Sequence, residues 1–244
     1  SPCPGGIRLP STSALILSNL LRPRLGLSID GESFFPGWSP ERTGTVSEPL
    51  LCATQAGFVP GRSCQQQILL LNLAREHARR KQKGLIACFL DIKKAFDSVP
   101  LMRLVRIIAD SGRVPASLLP FLLCFVTSHS RYLRLPWVSF GLSRSELPPA
   151  ISVERGVPQG SVLAPLLFNL FFDTLLVDLG ENCDLVELSS DVSVPKINSL
   201  AFADDLTLLA HTDSAMKAML VRVGNWFRTN GLEENPIKSL VVRL

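Results

Sequence analysis

The chain has little of several residue types. Its 244 residues hold one tyrosine, three methionines, three tryptophans and three histidines, and only 19% of them are charged. The histidines (His77, His129, His211) are scattered, and the six cysteines (Cys3, Cys52, Cys64, Cys88, Cys124, Cys183) form no CxxC pair. Without a CxxC pair a zinc-finger module is excluded, and the cysteines read as reduced thiols of an intracellular protein. Long hydrophobic runs are missing too. The longest, residues 162–177, is broken by Pro165, Asn169 and Asp173, and it falls short of the ~20 apolar residues that a bilayer span needs. No membrane partner is expected. The sequence opens Ser1-Pro2-Cys3-Pro4, with no initiator methionine and no signal peptide, and reads as a soluble fragment cut at both ends.

Apolar material is abundant: 46% of residues are hydrophobic, enough for a packed core and too many for a disordered chain. The length suits one large domain or two small ones. A net charge of +4 is compatible with a nucleic-acid partner, although the clustering of charge decides more than its total.

Residues 1–50 are rich in Pro, Gly and Ser and form a poorly defined segment, with a helix expected over 14–25 and loop over 26–49. From residue 51 the pattern sharpens into one domain. Ser63 with Gln66 three residues on makes a capping box, and the helix it opens is expected to run to about Lys83, with Gly84 as its stop. Arg75, Arg79, Arg80, Lys81 and Lys83 crowd its second half against one Glu76, either as a solvated face or as a patch for a phosphate backbone. Residues 85–90 (LIACFL) read as a buried strand ending at Asp91. Pro100 opens a helix closed by Gly112, Pro115 opens another, and residues 131–140 read as one strand of a hairpin. A largely buried helix is expected over 162–179, a strand–turn–strand over 200–210, an amphipathic helix over 213–230 and a final strand over 238–244, running beside the hairpin. Interleaved strands and helices give an α+β class.

Three features carry chemistry. Asp204 and Asp205 sit between Leu200-Ala201-Phe202-Ala203 and Leu206-Thr207-Leu208-Leu209. Two adjacent acids in an apolar hairpin are costly unless a positive charge offsets their desolvation, and hard oxygen donors suit Mg²⁺ or Mn²⁺; the other reading is an ordinary polar hairpin turn. Asp91 repeats the logic at the end of its own strand. If the three converge, a pair of metals about 3.5–4 Å apart could activate a hydroxyl and stabilise a leaving pyrophosphate. The third feature, residues 156–161 (GVPQGS), is a tight loop that can approach a ligand closely, or a plain Gly/Pro turn capped by Ser161.

Together these segments resemble the motifs of reverse transcriptases. Residues 90–99 (LDIKKAFDSV) are similar to the first catalytic motif, 155–170 (RGVPQGSVLAPLLFNL) to the second, 201–205 (AFADD) to the third, 231–239 (GLEENPIKS) to the fourth, and 55–63 (QAGFVPGRS) to a fingers motif. Their order resembles that of non-LTR retrotransposon enzymes and, close behind, group II intron enzymes. The resemblance implies a polymerase palm, an antiparallel sheet backed by helices, with partial fingers and the thumb absent. It implies an RNA-directed DNA polymerase with Mg²⁺ (or Mn²⁺) as cofactor and with RNA template, DNA primer and dNTPs as partners. It also implies a nuclear location if the element is eukaryotic.

Residue roles follow from the same resemblance. Asp91 and Asp204 would bridge the metals, with Asp205 and the position of Ile92 beside them. Lys94 and Ala95 would offer backbone N–H groups to the triphosphate, Phe96 would exclude a ribose 2′-hydroxyl, Gln159 and Gly160 would shape the nascent base-pair pocket, Arg62 would contact triphosphate, and Lys238 would protonate pyrophosphate. The chain departs from the pattern at Val59 (often Arg), Glu234 (usually aliphatic) and Ala164 (commonly Ser). Two rivals stand beside this reading: an RNA-dependent RNA polymerase, which Phe96 opposes, and a decayed or domesticated nucleic-acid-binding copy, which Asp91, Asp204 and Asp205 oppose.

Overall fold

The run Ile86–Leu90 is apolar at every position because the strand it forms, β1, is covered on both faces. In the computed structural model, which describes residues 51–110, 120, 130–131, 151–157, 161 and 163–244, β1 is an inner strand of a four-stranded sheet. Helix α1 (Cys64–Arg80) precedes it; α2 (Ala95–Ser98) and α3 (Leu101–Asp110) follow. The short strands β2 (Ser130–Arg131) and β3 (Ile151–Ser152) pair with each other. Then come α4 (Ala164–Asn182), the hairpin β4 (Ser199–Phe202) and β5 (Asp205–Ala210), α5 (Asp213–Asn230) and β6 (Leu240–Arg243). The sheet order is β4-β5-β1-β6 and every pairing is antiparallel.

The period-2 alternation of β1 sorts its side chains into two cores. Ile86, Cys88 and Leu90 join the larger one, with α3, α4 and α5; Ala87 joins the smaller, under α1, with Leu85, Leu200 and Leu209. Helix α4 fills the larger core. Phe168, Phe171 and Phe172 are fully buried, and Trp226 of α5 lies against Phe171 and Phe172 at 5.0 and 5.9 Å between ring centroids. Burying each ring contributes roughly 1.5–3 kcal/mol. Cys88, buried in β1, has its thiol pushed up to about 11, chiefly by burial and then by Glu234, which makes it an inert packing residue. Among the described residues Cys52, Cys64, Cys88 and Cys183 are free, and no helix is long and apolar enough to cross a membrane.

Helix α5 lies where the sequence puts it, and α3 follows Pro100 as expected, with Gly112 outside the described residues. The β4–β5 hairpin forms, but its turn is Ala203–Asp204 rather than the expected Asp-Asp pair, because Asp205 pairs with Phe202 and opens β5. The Ser63 capping box forms as expected, but α1 ends earlier than Gly84. Gln82 adopts φ +54°, its N–H donates to the Arg79 carbonyl, and the Lys83 N–H donates to that of Ala78. This Schellman closure, normally given to glycine, stops the helix at Arg80. Strand β6 corrects another expectation: it runs beside β1, not beside the acid hairpin, with Cys88 opposite Val241. Of the hairpin strand expected over 131–140, Arg131 pairs with Ile151. The rest of that strand, the helix over 14–25, the loop over 26–49 and the helix opened by Pro115 lie outside the described residues.

Gln82 holds a conformation that costs a non-glycine residue about 1–2 kcal/mol. Gln82→Gly is therefore expected to raise stability in urea unfolding by about 0.5–1 kcal/mol after the added freedom of the unfolded glycine is counted, and Gln82→Val to lower it.

Candidate active site

Antiparallel pairing sets the site. Leu90 of β1 lies opposite Leu206 of β5, so the residue that follows β1, Asp91, comes level with the turn that precedes β5. Ala203 and Asp204 make that turn, since Phe202 pairs with Asp205 across a two-residue loop. Asp91 and Asp204 both face a cleft of about 450 Å³, within the ~300–1,000 Å³ of small-ligand sites. Asp205 opens β5, is exposed and does not line the cleft.

The two acids have different surroundings. The Asp204 carboxyl is raised above the usual carboxylate range, mostly by burial; a backbone hydrogen bond at its own residue opposes this, the Asp205 and Asp91 charges reinforce it, and Lys238 opposes it. Asp91 is anchored. Its Oδ2 accepts from Asn235 Nδ2 at 2.8 Å, its carbonyl accepts the Asn235 N–H at 2.8 Å, and Lys238 Nζ stands 3.7 Å from Oδ1. Past β1 the chain keeps pairing with the segment before β6: Ile92 bridges Glu234, and the Lys93 N–H donates to the Glu233 carbonyl at 2.9 Å. Lys238 thus reaches the cleft from the β1 side.

The opposite wall is the turn into α2. Lys94 takes the left-handed conformation, φ +46°, with its carbonyl accepting from the Ser98 N–H and Oγ. Lys94, Ala95, Phe96 and Ile92 line the cleft. Phe96 stacks on Phe168 at 4.6 Å, so its ring is fixed by the core rather than loose in solvent. The Val157 N–H donates to the Phe96 carbonyl at 3.0 Å and the Gly156 N–H to that of Val99 at 2.8 Å, tying the second motif onto the first.

Most of the expected site residues meet at this cleft: Asp91, Ile92, Lys94, Ala95, Phe96, Asp204 and Lys238. Arg62 is elsewhere; its Nη1 donates to the Cys52 and Gln55 carbonyls at 2.7 Å each, bracing the loop before α1. Val59, where relatives of the motif often carry arginine, is buried in the larger core. Gln159 and Gly160 lie outside the described residues. Of the basic helix face, Arg79 and Arg80 both pair with Glu76. Sequence reasoning missed Asn235 as the anchor of Asp91, and Ser239, whose Oγ accepts the Asp91 N–H at 3.4 Å. Their segment was singled out as a motif, but a partner 144 residues away leaves no local signal.

Residues 42–243 match the family model described as reverse transcriptase (RNA-dependent DNA polymerase). The chain is 34% identical over 198 residues to the retrovirus-related Pol polyprotein of the type-1 retrotransposable element R2 from Nasonia vitripennis, covering 80% of this chain and 18% of that protein. It is 28% identical over 236 residues to the type-2 element R2DM polyprotein from Drosophila melanogaster, covering 97% and 19%. The chain therefore spans about a fifth of the length of these curated relatives. Among solved structures, telomerase from Candida tropicalis in complex with a TWJ fragment of telomeric RNA superposes with a TM-score of 0.59 at 11% identity, over 96% of this chain and 34% of that one. Apo telomerase from the same organism, truncated from its C-terminal domain, gives 0.57 at 11% identity over 78% and 36%. That likeness is one of fold.

Gly156 has φ +91°, and a Cβ there would lie 3.0 Å from the Asp97 carbonyl oxygen. Gly156→Ala is expected to cost at least about 1–2 kcal/mol in chemical unfolding, through loss of the link between the second motif and the Phe96 segment. A variant as stable as the parent would show that this link bears no strain.

Proposed function

Because the chain belongs to the reverse transcriptase (RNA-dependent DNA polymerase) family, we propose that its cleft transfers a nucleotide from a dNTP to a primer 3′-hydroxyl on an RNA template, as the polymerase domain of a non-LTR retrotransposon protein. The observation that carries the reading is the meeting of Asp91, Asp204, Phe96 and Lys238 on one cleft. Residues 51–244 are the fingers/palm unit in this reading, with DNA as the primer, and kinship to insect elements supports a nuclear setting.

Reverse transcriptases work with divalent metal ions, and the donor set fits Mg²⁺, with Mn²⁺ as substitute. The cleft offers carboxylate oxygens of Asp91 and Asp204 and the Ile92 backbone, with no thiolate or imidazole among the described residues that line it. Among the described residues no three His, Cys, Asp or Glu gather as a ready-made cage. Mg²⁺ does not require one: it is usually held by one or two carboxylates together with substrate phosphates and water. The raised Asp204 carboxyl also belongs to a group whose ionised form gains from a cation. When bound, the ion would polarise phosphate oxygens and lower the pKa of the attacking hydroxyl.

The residues then divide the work. Asp91, fixed by Asn235, and Asp204 hold the carboxylate pair, with Asp205 contributing charge behind Asp204. The backbone at Lys94 and Ala95 faces the triphosphate, and the Phe96 ring, held by Phe168, takes the space a 2′-hydroxyl would need. The primer 3′-hydroxyl loses its proton to solvent as its oxygen attacks the α-phosphorus, and the bond from that phosphorus to the α,β-bridging oxygen breaks. The Lys238 ammonium donates a proton to the leaving pyrophosphate and regains one from solvent. In this reading Arg62 reaches the triphosphate only by giving up a loop carbonyl, and Gln159 and Gly160 flank the new base pair.

Primer extension with Mg²⁺, on the longest polypeptide that carries these residues, tests the proposal. Asp204→Asn is expected to lower the rate by roughly a thousandfold or more, about 4 kcal/mol, and Asp205→Asn by clearly less. Phe96→Val is expected to raise ribonucleotide use, and Lys238→Arg to slow the chemical step without weakening dNTP binding. Full activity in Asp204→Asn contradicts the proposal; unchanged sugar selectivity in Phe96→Val removes the gate.

A further inference from the structure

The turn that carries Asp204 is strained. Ala203 holds φ +58°, a region that favours glycine, and is buried. Strain of this kind persists only where the surroundings over-determine the backbone. Here one side chain does so. Gln55, 0% exposed, accepts the Ala203 N–H at 2.9 Å through Oε1 and donates to the Ala203 carbonyl at 3.2 Å through Nε2. Its Oε1 also accepts the Gly57 N–H at 2.8 Å. Both backbone polar groups of the strained residue are thus gripped by a single amide.

The clamp is itself held on both sides. The Ala56 N–H donates to the Ala201 carbonyl at 2.8 Å and the Ala201 N–H to that of Thr54 at 2.9 Å, so residues 54–56 ride on the edge of β4. Gly57 permits the approach: a Cβ there would lie 2.1 Å from the Ala203 nitrogen. From behind, Asn169 Nδ2 of α4 donates to the Gly57 carbonyl at 2.7 Å, Asp173 Oδ1 accepts the Cys52 N–H at 2.6 Å, and Arg62 braces the Gln55 carbonyl at 2.7 Å. A primary amide suits this task, since it carries an uncharged acceptor and an uncharged donor on separate atoms at the end of one side chain. Glutamate cannot donate, asparagine is one methylene short, and methionine fills the space with neither function.

We propose that Gln55 is a positioning residue: its two-point clamp on Ala203, anchored to α4, sets the turn and so places the Asp204 carboxylate against Asp91. This rests on the polymerase reading of the cleft. The loop of residues 52–62 then serves the catalytic turn in addition to opening α1, and Arg62 acts through Gln55.

The test compares Gln55→Met with the unsubstituted chain by hydrogen exchange resolved at Ala203, by Mn²⁺ titration followed by electron paramagnetic resonance, and by single-nucleotide addition. The expected result has three parts. The Ala203 amide exchanges about tenfold or more faster while the Cys88 and Leu208 amides keep their protection. Mn²⁺ binds more weakly. The maximal rate of addition falls by about a hundredfold with the dNTP KM little changed. Gln55→Glu, which keeps the acceptor, is expected to retain more Ala203 protection than Gln55→Met. Unchanged exchange at Ala203, equal loss of protection across the sheet, or faster exchange with unaltered Mn²⁺ affinity and rate would each overturn the clamp. Absence of both Mn²⁺ binding and nucleotide addition in the unsubstituted chain would overturn the polymerase reading instead, and the exchange comparison would still decide whether Gln55 holds the turn.

Discussion

The antiparallel register of β1 against β5, with Leu90 opposite Leu206, decides where the acids go. One carboxylate is attached to the strand that runs into this point and the other to the turn that leaves it. Neither can move without a slip of the ladder, and a slip by one residue would turn every side chain of β1 to the wrong core. Because β1 is buried on both faces, that register is strongly specified. The apolar packing of Ile86, Cys88 and Leu90 on one side and Ala87 on the other is therefore also what holds two like charges near each other, an arrangement that ordinary solvation disfavours.

Helix α4 supports the same point from below. Its apolar residues fill the core, and two buried polar residues among them, Asn169 and Asp173, are bonded to the backbone of Gly57 and Cys52. The loop that carries Gln55 supplies the acceptor for the Asn169 amide N–H and a donor to Asp173, while Asn169 Oδ1 has no hydrogen-bond partner among the described residues. Two of the residues that interrupt the apolar run are the ones that tie the loop of residues 52–62 to α4. Phe168 adds a second tie through its stack with Phe96, so the cleft takes its walls from elements that α4 fixes at both ends.

Much of this was legible in the sequence because its signals are local. A continuous apolar run ending in Asp91 marks a buried strand and its terminal acid; apolar flanks on either side of Asp204-Asp205 mark the hairpin; Ser63 and Gln66 mark a helix start. What escaped depends on distant partners. Asn235 looks like any turn residue until β1 lies beside it. Arg62 looks like a free cation until the carbonyls of Cys52 and Gln55 are seen to engage it. Gln82 closes α1 in a conformation usually left to glycine, so Gly84 was the more visible stop. Strand β6 has an apolar pattern that fits either edge of the hairpin sheet, and only the pairing of residues 233–235 with 91–93 selects β1.

The central claim is that Asp91 and Asp204 share a divalent cation in one cleft. The most direct measurement is a crystal structure with Mn²⁺, template–primer and a non-hydrolysable dNTP, read by anomalous scattering. A peak within about 2.0–2.4 Å of carboxylate oxygens from both Asp91 and Asp204 is the predicted result. A peak bound to Asp205 alone, or none in the cleft at full dNTP occupancy, would contradict the account.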